Sequence, residues 1–216
     1  MVPREEGPAL AATVDLAVLL KPAFSAAWQA RRAPRRVGLA TDHRGLLLTR
    51  VVPGPGPQEH RADLLLRIAC AALDQEPPGP ALPAYPTGPA DSDRLPPDLP
   101  EDMILLLPGT ASGPTVRWRG FAALVQALGP RAMVAGGPGD QEVLAEVTAG
   151  APQARTWEDP DLPTLAALAA RSWAVVGNDS GLPHLAAAAL RGAGQDPRRL
   201  HIVYASTDPV LSLIHI

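Results

Sequence analysis

Eight consecutive residues, Gly177-Asn178-Asp179-Ser180-Gly181-Leu182-Pro183-His184, place a carboxylate, a hydroxyl and an imidazole around two glycines just ahead of an alanine-rich run. If a strand ends before this segment and a helix begins within it, its free backbone N–H groups and the positive end of the helix dipole point the same way, which makes an anion site. Ser180 then stands where it can cap the helix or donate to a phosphate. Gly181 lets the main chain approach a ligand closely. Asp179 can accept hydrogen bonds from sugar hydroxyls, and His184 falls in the first helical turn. The same residue types also serve as plain helix caps, so spacing alone leaves both readings open.

Three other segments have related chemistry. Pro108-Gly109-Thr110-Ala111-Ser112-Gly113 leads into Pro114-Thr115-Val116-Arg117-Trp118-Arg119, where the hydroxyls of Thr110 and Ser112 and the fork of Arg117 suit a phosphate cradle. In Gly136-Gly137-Pro138-Gly139-Asp140, Gly137 and Asp140 are candidates to meet a ribose or a base edge. Thr207-Asp208-Pro209 completes the set, with Thr207 as its candidate donor-binding residue. P-loop, GxSxG, HExxH and GxGxxG patterns are absent. Together the four segments are expected to bind a diphosphate-containing nucleotide, with no metal cluster and no further cofactor.

Such loops need elements to carry them. Short apolar runs of strand length alternate with helical segments from Met103 onward: strands at Met103 to Leu107, Ala132 to Ala135, Trp173 to Val176 and His201 to Tyr204. Between them lie helices at Gly120 to Leu128, Asp140 to Thr148, Leu162 to Arg171 and Leu182 to Leu190. Strands separated by helices predict a parallel α/β sheet, in which ligands sit beyond the carboxyl ends of the strands. Each of the four loops follows one of these strands. The first part of the chain gives strands at Val14 to Leu20, Arg36 to Ala40 and Leu46 to Val52. It also gives helices at Phe24 to Arg32 and at Arg61 to Leu73, the second with Leu64, Leu65, Ile68 and Ala72 on one face. Nine prolines fall among the 24 residues from Pro77 to Pro100, and this stretch is expected to be an interdomain linker. The division predicted is residues 1–76, linker 77–100 and a nucleotide-binding domain over 101–216.

The bulk composition bounds the function classes. Of the 216 residues 46% are hydrophobic, enough for a real core, and the net charge of −3 provides no basic field for nucleic acid. Cys70 is the one cysteine and is expected to be a buried, inert thiol; a reducing compartment fits. The polar start and the lack of a long apolar run predict a cytoplasmic protein with at most peripheral membrane contact.

In these residues the sequence resembles glycosyltransferase family 9, the bacterial lipopolysaccharide heptosyltransferases. The family's PGA-type loop, its lysine–basic–Trp–Pro element, its GGP-acidic turn, its DSGxxH element and its T-D-P-like loop correspond in order to Pro108 to Thr110, Gly113 to Arg119, Gly136 to Asp140, Asn178 to Ala188 and Thr207 to Pro209. Asp15 to Leu20, Arg35 to Gly38 and Arg44 to Thr49 match the first domain and are closest to the heptosyltransferase II branch. The likeness spans about residues 14–210. It implies a GT-B fold, two Rossmann-like domains with parallel sheets, the first incomplete and the second cut short. It further implies an inverting, metal-independent transfer of heptose from ADP-heptose to a lipopolysaccharide-type glycolipid acceptor. Carried over by position, Asp179 would meet sugar hydroxyls, Ser180, Gly181 and His184 would face the diphosphate, and Thr110 and Ser112 would lie along the phosphates.

The chain also departs from the family pattern. Val116 stands where the family has a phosphate-contacting lysine, so Arg117 or Arg119 would have to replace it, and Arg119 occupies the place of the following proline. The family's first strand and the Gly-Asp loop with its general-base aspartate are expected to fall before Met1. No residue here inherits that role, and the catalytic base is unknown. The closing residues Leu211 to Ile216 are expected to be a non-native extension. A fragment with impaired turnover follows from these departures. Another GT-B enzyme, such as a sugar-nucleotide epimerase, and a non-catalytic nucleotide-binding module are the alternatives.

Overall fold

A computed structural model describes residues 7–56, 59–79, 82–110 and 113–204. They form two compact units, residues 1–81 and 82–216. The described elements of the first unit run α1 (Gly7–Leu10), β1 (Leu16–Leu19), α2 (Phe24–Gln29), β2 (Arg35–Leu39), β3 (Arg50–Val52) and α3 (Arg61–Ala72). The strands are parallel in the order β1-β2-β3. Val37, Leu39 and Val52 pack against Ile68 and Ala72 of α3, and Leu64 joins them; Leu65, expected on the same face, is not part of this cluster. Cys70 is buried and unpaired.

The third strand is shorter than its apolar run. Arg44–Leu47 forms a 3-10 turn, and Leu46 projects from it, 96% exposed. Arg44 anchors the turn. Its side chain is fully buried, with Nε donating to the Leu39 carbonyl at 2.6 Å and Nη1 to the Lys21 carbonyl at 2.6 Å. Burial pushes its pKa down, against the attraction of Asp42.

The second unit contains α4 (Pro89–Ser92), β4 (Ile104–Leu107), α5 (Phe121–Leu128), β5 (Ala132–Gly136), α6 (Gln141–Thr148), β6 (Arg155–Glu158), α7 (Leu162–Arg171), β7 (Ala174–Asn178), α8 (Gly181–Gly192) and β8 (Leu200–Val203). Its sheet is parallel throughout, in the order β6-β5-β4-β7-β8. The central strand β4 is apolar at every position because both its faces are covered. Leu105 and Leu107 meet Leu165, Leu168, Ala186 and Leu190 of α7 and α8 on one side. On the other, Ile104 and Leu106 meet Phe121, Val125, Leu144 and Val147 of α5 and α6. The alternating strands and helices expected from Met103 onward are all present within a few residues of their predicted bounds. Strand β6 was not expected: Arg155-Thr156-Trp157-Glu158 lies at the sheet edge and alternates between half-buried and exposed residues, so it has no apolar run to announce it.

The proline-rich stretch also differs from a free linker. From residue 82 it belongs to the second unit. Tyr85 donates its N–H to the Ala188 carbonyl at 2.8 Å, and Leu99 is buried in the α7–α8 core with Tyr85 and Leu95 against it. Proline removes donors from such a segment but leaves its apolar side chains free to bury surface. Gly192 makes the contact possible, since a Cβ there would stand 2.1 Å from the Tyr85 carbonyl oxygen.

Candidate functional site

The strand order places a topological switch point in the second unit. From β4 the chain moves outward to β5 and β6 on one side, then returns to β7 and β8 on the other. Loops leaving the carboxyl ends of β4 and β7 therefore diverge and open a crevice. A cleft of about 340 Å³ lies there, lined by Gly109 and Thr110 after β4, Gly137 to Asp140 after β5, and Ser180 to Leu182 after β7. Three of the four loops picked out in the sequence thus meet. Thr207, in the fourth, and Ser112 lie outside the described residues.

Each loop is shaped by its own residues. Gly139 has φ +90°, a conformation that favours glycine. Asp140 closes its turn in both directions: its N–H donates to the Gly137 carbonyl at 3.1 Å, and its Oδ2 accepts from the Gly137 N–H at 2.9 Å. Its carboxylate also presses on the neighbouring loop, where a Cβ on Gly109 would stand 2.2 Å from Oδ2. Asp140 therefore shapes the cleft as well as lining it.

Helix α8 starts at the cleft floor. Ser180 is its N-cap in extended conformation, and its hydroxyl makes no capping bond, so the group is not committed to the helix end. A Cβ on Gly181 would meet nothing within 4 Å, which leaves open space over the helix N-terminus. The α8 dipole and the amides of its first turn face that space. Behind them, Gly177 lets the helix close onto β7: a Cβ there would stand 2.4 Å from Pro183 Cγ. Asp179 and His184 are brought together, with Oδ1 3.5 Å from Nε2 and both side chains largely buried. The Asp179 N–H also donates to the Val203 carbonyl at the end of β8.

Arg117 is placed differently. It pairs with Glu146 of α6 at 3.0 Å and does not line the cleft. The cleft wall in the described residues consequently contains no lysine or arginine, and its one charged side chain is Asp140; the donors it can offer are backbone amides and the N-terminus of α8. One organising residue was not singled out by spacing. Asn178, 1% exposed, accepts from the Trp118 N–H at 2.9 Å and donates to the Pro108 carbonyl at 2.6 Å. Its place at the end of an apolar strand was the available signal. Trp118 itself packs edge-on to Phe121, with ring centroids 5.1 Å apart.

A parallel sheet with helices on both faces, and a glycine-rich crevice at its switch point, define an α/β unit of the Rossmann kind. The comparisons with known proteins narrow that class. The profile of glycosyltransferase family 9 (heptosyltransferase) matches residues 8–210, and the chain belongs to this family. Among solved structures it is similar to a family 9 glycosyl transferase from Veillonella parvula, with 19% identity and a TM-score of 0.71 over 96% of this chain and 62% of that one. It is also similar to the Escherichia coli ADP-heptose lps heptosyltransferase II, with 24% identity and a TM-score of 0.70 over 96% of this chain and 68% of that one. E. coli heptosyltransferase WaaC with ADP matches at 19% identity and a TM-score of 0.67, over 97% and 68% of the two chains. The likeness is to GT-B structures with parallel sheets, and this chain spans 62–68% of their lengths. No curated protein matches it. No helix among the described residues is long and apolar enough to cross a membrane.

Proposed function

We propose that the cleft of the second unit binds the nucleotide-diphosphate part of a sugar donor, with ADP-heptose as the donor and a lipopolysaccharide-type glycolipid as the acceptor. The observation that carries this reading is the convergence of three small-residue loops and the N-terminus of α8 on one cleft at the switch point. Its volume of about 340 Å³ suits a nucleotide-sized ligand. Ser180 and the first amides of α8 face the diphosphate. Asp179, braced by His184, accepts from sugar hydroxyls. Thr110 flanks the phosphates from the β4 side.

In the parent reaction an acceptor oxygen attacks the anomeric carbon from the face opposite the diphosphate. The new C–O bond forms as the bond to the phosphate oxygen breaks, a general base takes the acceptor's proton, and ADP departs with inversion and without a metal. The base is not assigned to a residue of this chain. Work at the cytoplasmic face of a membrane carrying the acceptor fits this chemistry.

A second reading, a nucleotide-binding module without turnover, is favoured by Val116 at the family's lysine position and by the absence of a cation from the described cleft wall. Calorimetric titration with ADP, UDP and ADP-heptose, followed by a heptosyl-transfer assay, separates the two. Binding of ADP compounds with transfer supports the transferase and sinks the module, and a preference for UDP sinks the ADP-heptose assignment.

A further inference from the structure

The cleft lining does not include Asn178, but this residue bonds to both ends of the loop that supplies one of its walls. Pro108 opens the loop after β4, and Trp118 stands at its far end. The Asn178 carboxamide bonds to both, through Nδ2 to the Pro108 carbonyl at 2.6 Å and through Oδ1 from the Trp118 N–H at 2.9 Å. The partners fix the amide's orientation, because a main-chain N–H only donates and a carbonyl only accepts. One side chain from β7 therefore closes a loop that belongs to β4. Within the loop, the backbone bond from the Val116 N–H to the Gly113 carbonyl is 3.4 Å long, at the weak end of the range.

We infer that Asn178 is a positioning residue for nucleotide binding, acting through the loop 108–118 whose two ends it holds. This rests on the nucleotide-binding reading of the cleft. The requirement on the side chain is strict. An ionised aspartate accepts from Trp118 but turns a second oxygen towards the Pro108 carbonyl. Alanine leaves a buried carbonyl and an amide without partners. Glutamine adds a methylene where the residue is 1% exposed. Moving the loop moves Thr110, which lines the cleft opposite Ser180 and Gly181.

The test uses the whole chain with Asn178→Ala and Asn178→Asp. Two quantities are read: the Kd for ADP by calorimetry between pH 5 and 8, and amide hydrogen exchange at Trp118 without nucleotide. Asn178→Ala is expected to lose protection at Trp118 and to bind ADP roughly tenfold or more weakly. Asn178→Asp is expected to bind weakly at the alkaline end and to recover as pH falls, because a protonated carboxyl can donate to Pro108 as the amide does; the wild type changes less. Recovery with pH distinguishes positioning from a general loss of folding. The inference is overturned if Trp118 stays protected in Asn178→Ala, or if protection is lost while ADP affinity is unchanged. A wild-type chain that does not bind ADP overturns the nucleotide reading and the positioning role with it, and exchange at Trp118 then still shows whether the bracket exists.

Discussion

The main chain of Gly109 lies directly against the carboxylate of Asp140, so that a Cβ on Gly109 would stand 2.2 Å from Oδ2 and 2.5 Å from Cγ. Two loops from adjacent strands are thereby locked together. Asp140 cannot simply turn aside, because its Oδ2 is held by the Gly137 N–H at 2.9 Å. Gly109→Ala should destabilise the chain by about 1–3 kcal/mol, the usual range for overpacking or for an orphaned buried group. In an Asp140→Ala background the same substitution should cost clearly less. Chemical denaturation of the four proteins of the double-mutant cycle measures this, and strictly additive effects would show that the contact does not couple the loops.

Gly177 and Gly181 flank the same motif but serve opposite purposes. A methyl group at Gly177 runs into Pro183 Cγ at 2.4 Å and Leu107 Cβ at 3.3 Å, whereas one at Gly181 meets no protein atom within 4 Å. Gly177→Ala should therefore destabilise by about 1–3 kcal/mol. Gly181→Ala should leave stability unchanged or slightly higher, since alanine suits a helix better than glycine. Its methyl stands in the open cleft, and ADP affinity should fall roughly tenfold if a phosphate occupies that space. Thermal melts and ADP titrations of both variants suffice. Unchanged ADP binding by Gly181→Ala would place the ligand elsewhere.

Elements with a clear apolar period were readable from the chain, and those shaped by single polar contacts were not. Ile104 to Leu107 could be recognised because a strand covered on both faces must be apolar throughout. The edge strand at Arg155 to Glu158 could not, because only alternate residues are half-buried. Leu46 and Leu47 have strand-like composition but fall in the turn Arg44–Leu47, whose buried Arg44 is anchored to the Leu39 and Lys21 carbonyls, tertiary contacts that no local pattern encodes. The same division holds at the site. Loop composition pointed to Thr110, Gly137 and Ser180, which the fold gathers on one cleft. Capture of Arg117 by Glu146, 29 residues further on, depends on how α6 packs beside the loop. The Asn178 bracket spans 60 and 70 residues for the same reason.

Asp179 offers a way to separate the sugar from the nucleotide. It stands 3.5 Å from His184 at the start of α8, and neither residue is among those lining the cleft. If its carboxylate receives sugar hydroxyls, Asp179→Ala should weaken ADP-heptose roughly tenfold or more while changing ADP itself only a few-fold, since hydrogen bonds to a charged group are the strong ones. Paired calorimetric titrations check this. Equal losses for the two ligands would move Asp179 from the sugar to the diphosphate.

Glu59 and Arg67 form a forked pair, with Nε to Oε1 at 2.9 Å and Nη2 to Oε2 at 2.8 Å, and the Gly56 N–H also donates to Oε2 at 3.1 Å. Their side chains are 19% and 26% exposed. The Arg67 hydrogen bonds hold the Glu59 carboxyl below the usual glutamate range, against the opposing effect of burial. A carboxyl with a depressed folded-state pKa contributes stability above its unfolded value, and that contribution is lost as pH falls through the folded value. Glu59→Gln should thus be less stable than the wild type by about 1 kcal/mol at neutral pH. The gap should shrink once pH drops below the ordinary glutamate value and close as Glu59 itself takes up a proton. Unfolding free energies of the two proteins across this acid range measure the gap directly, and a difference that stays constant with pH would mean that the pair contributes through packing and not through charge.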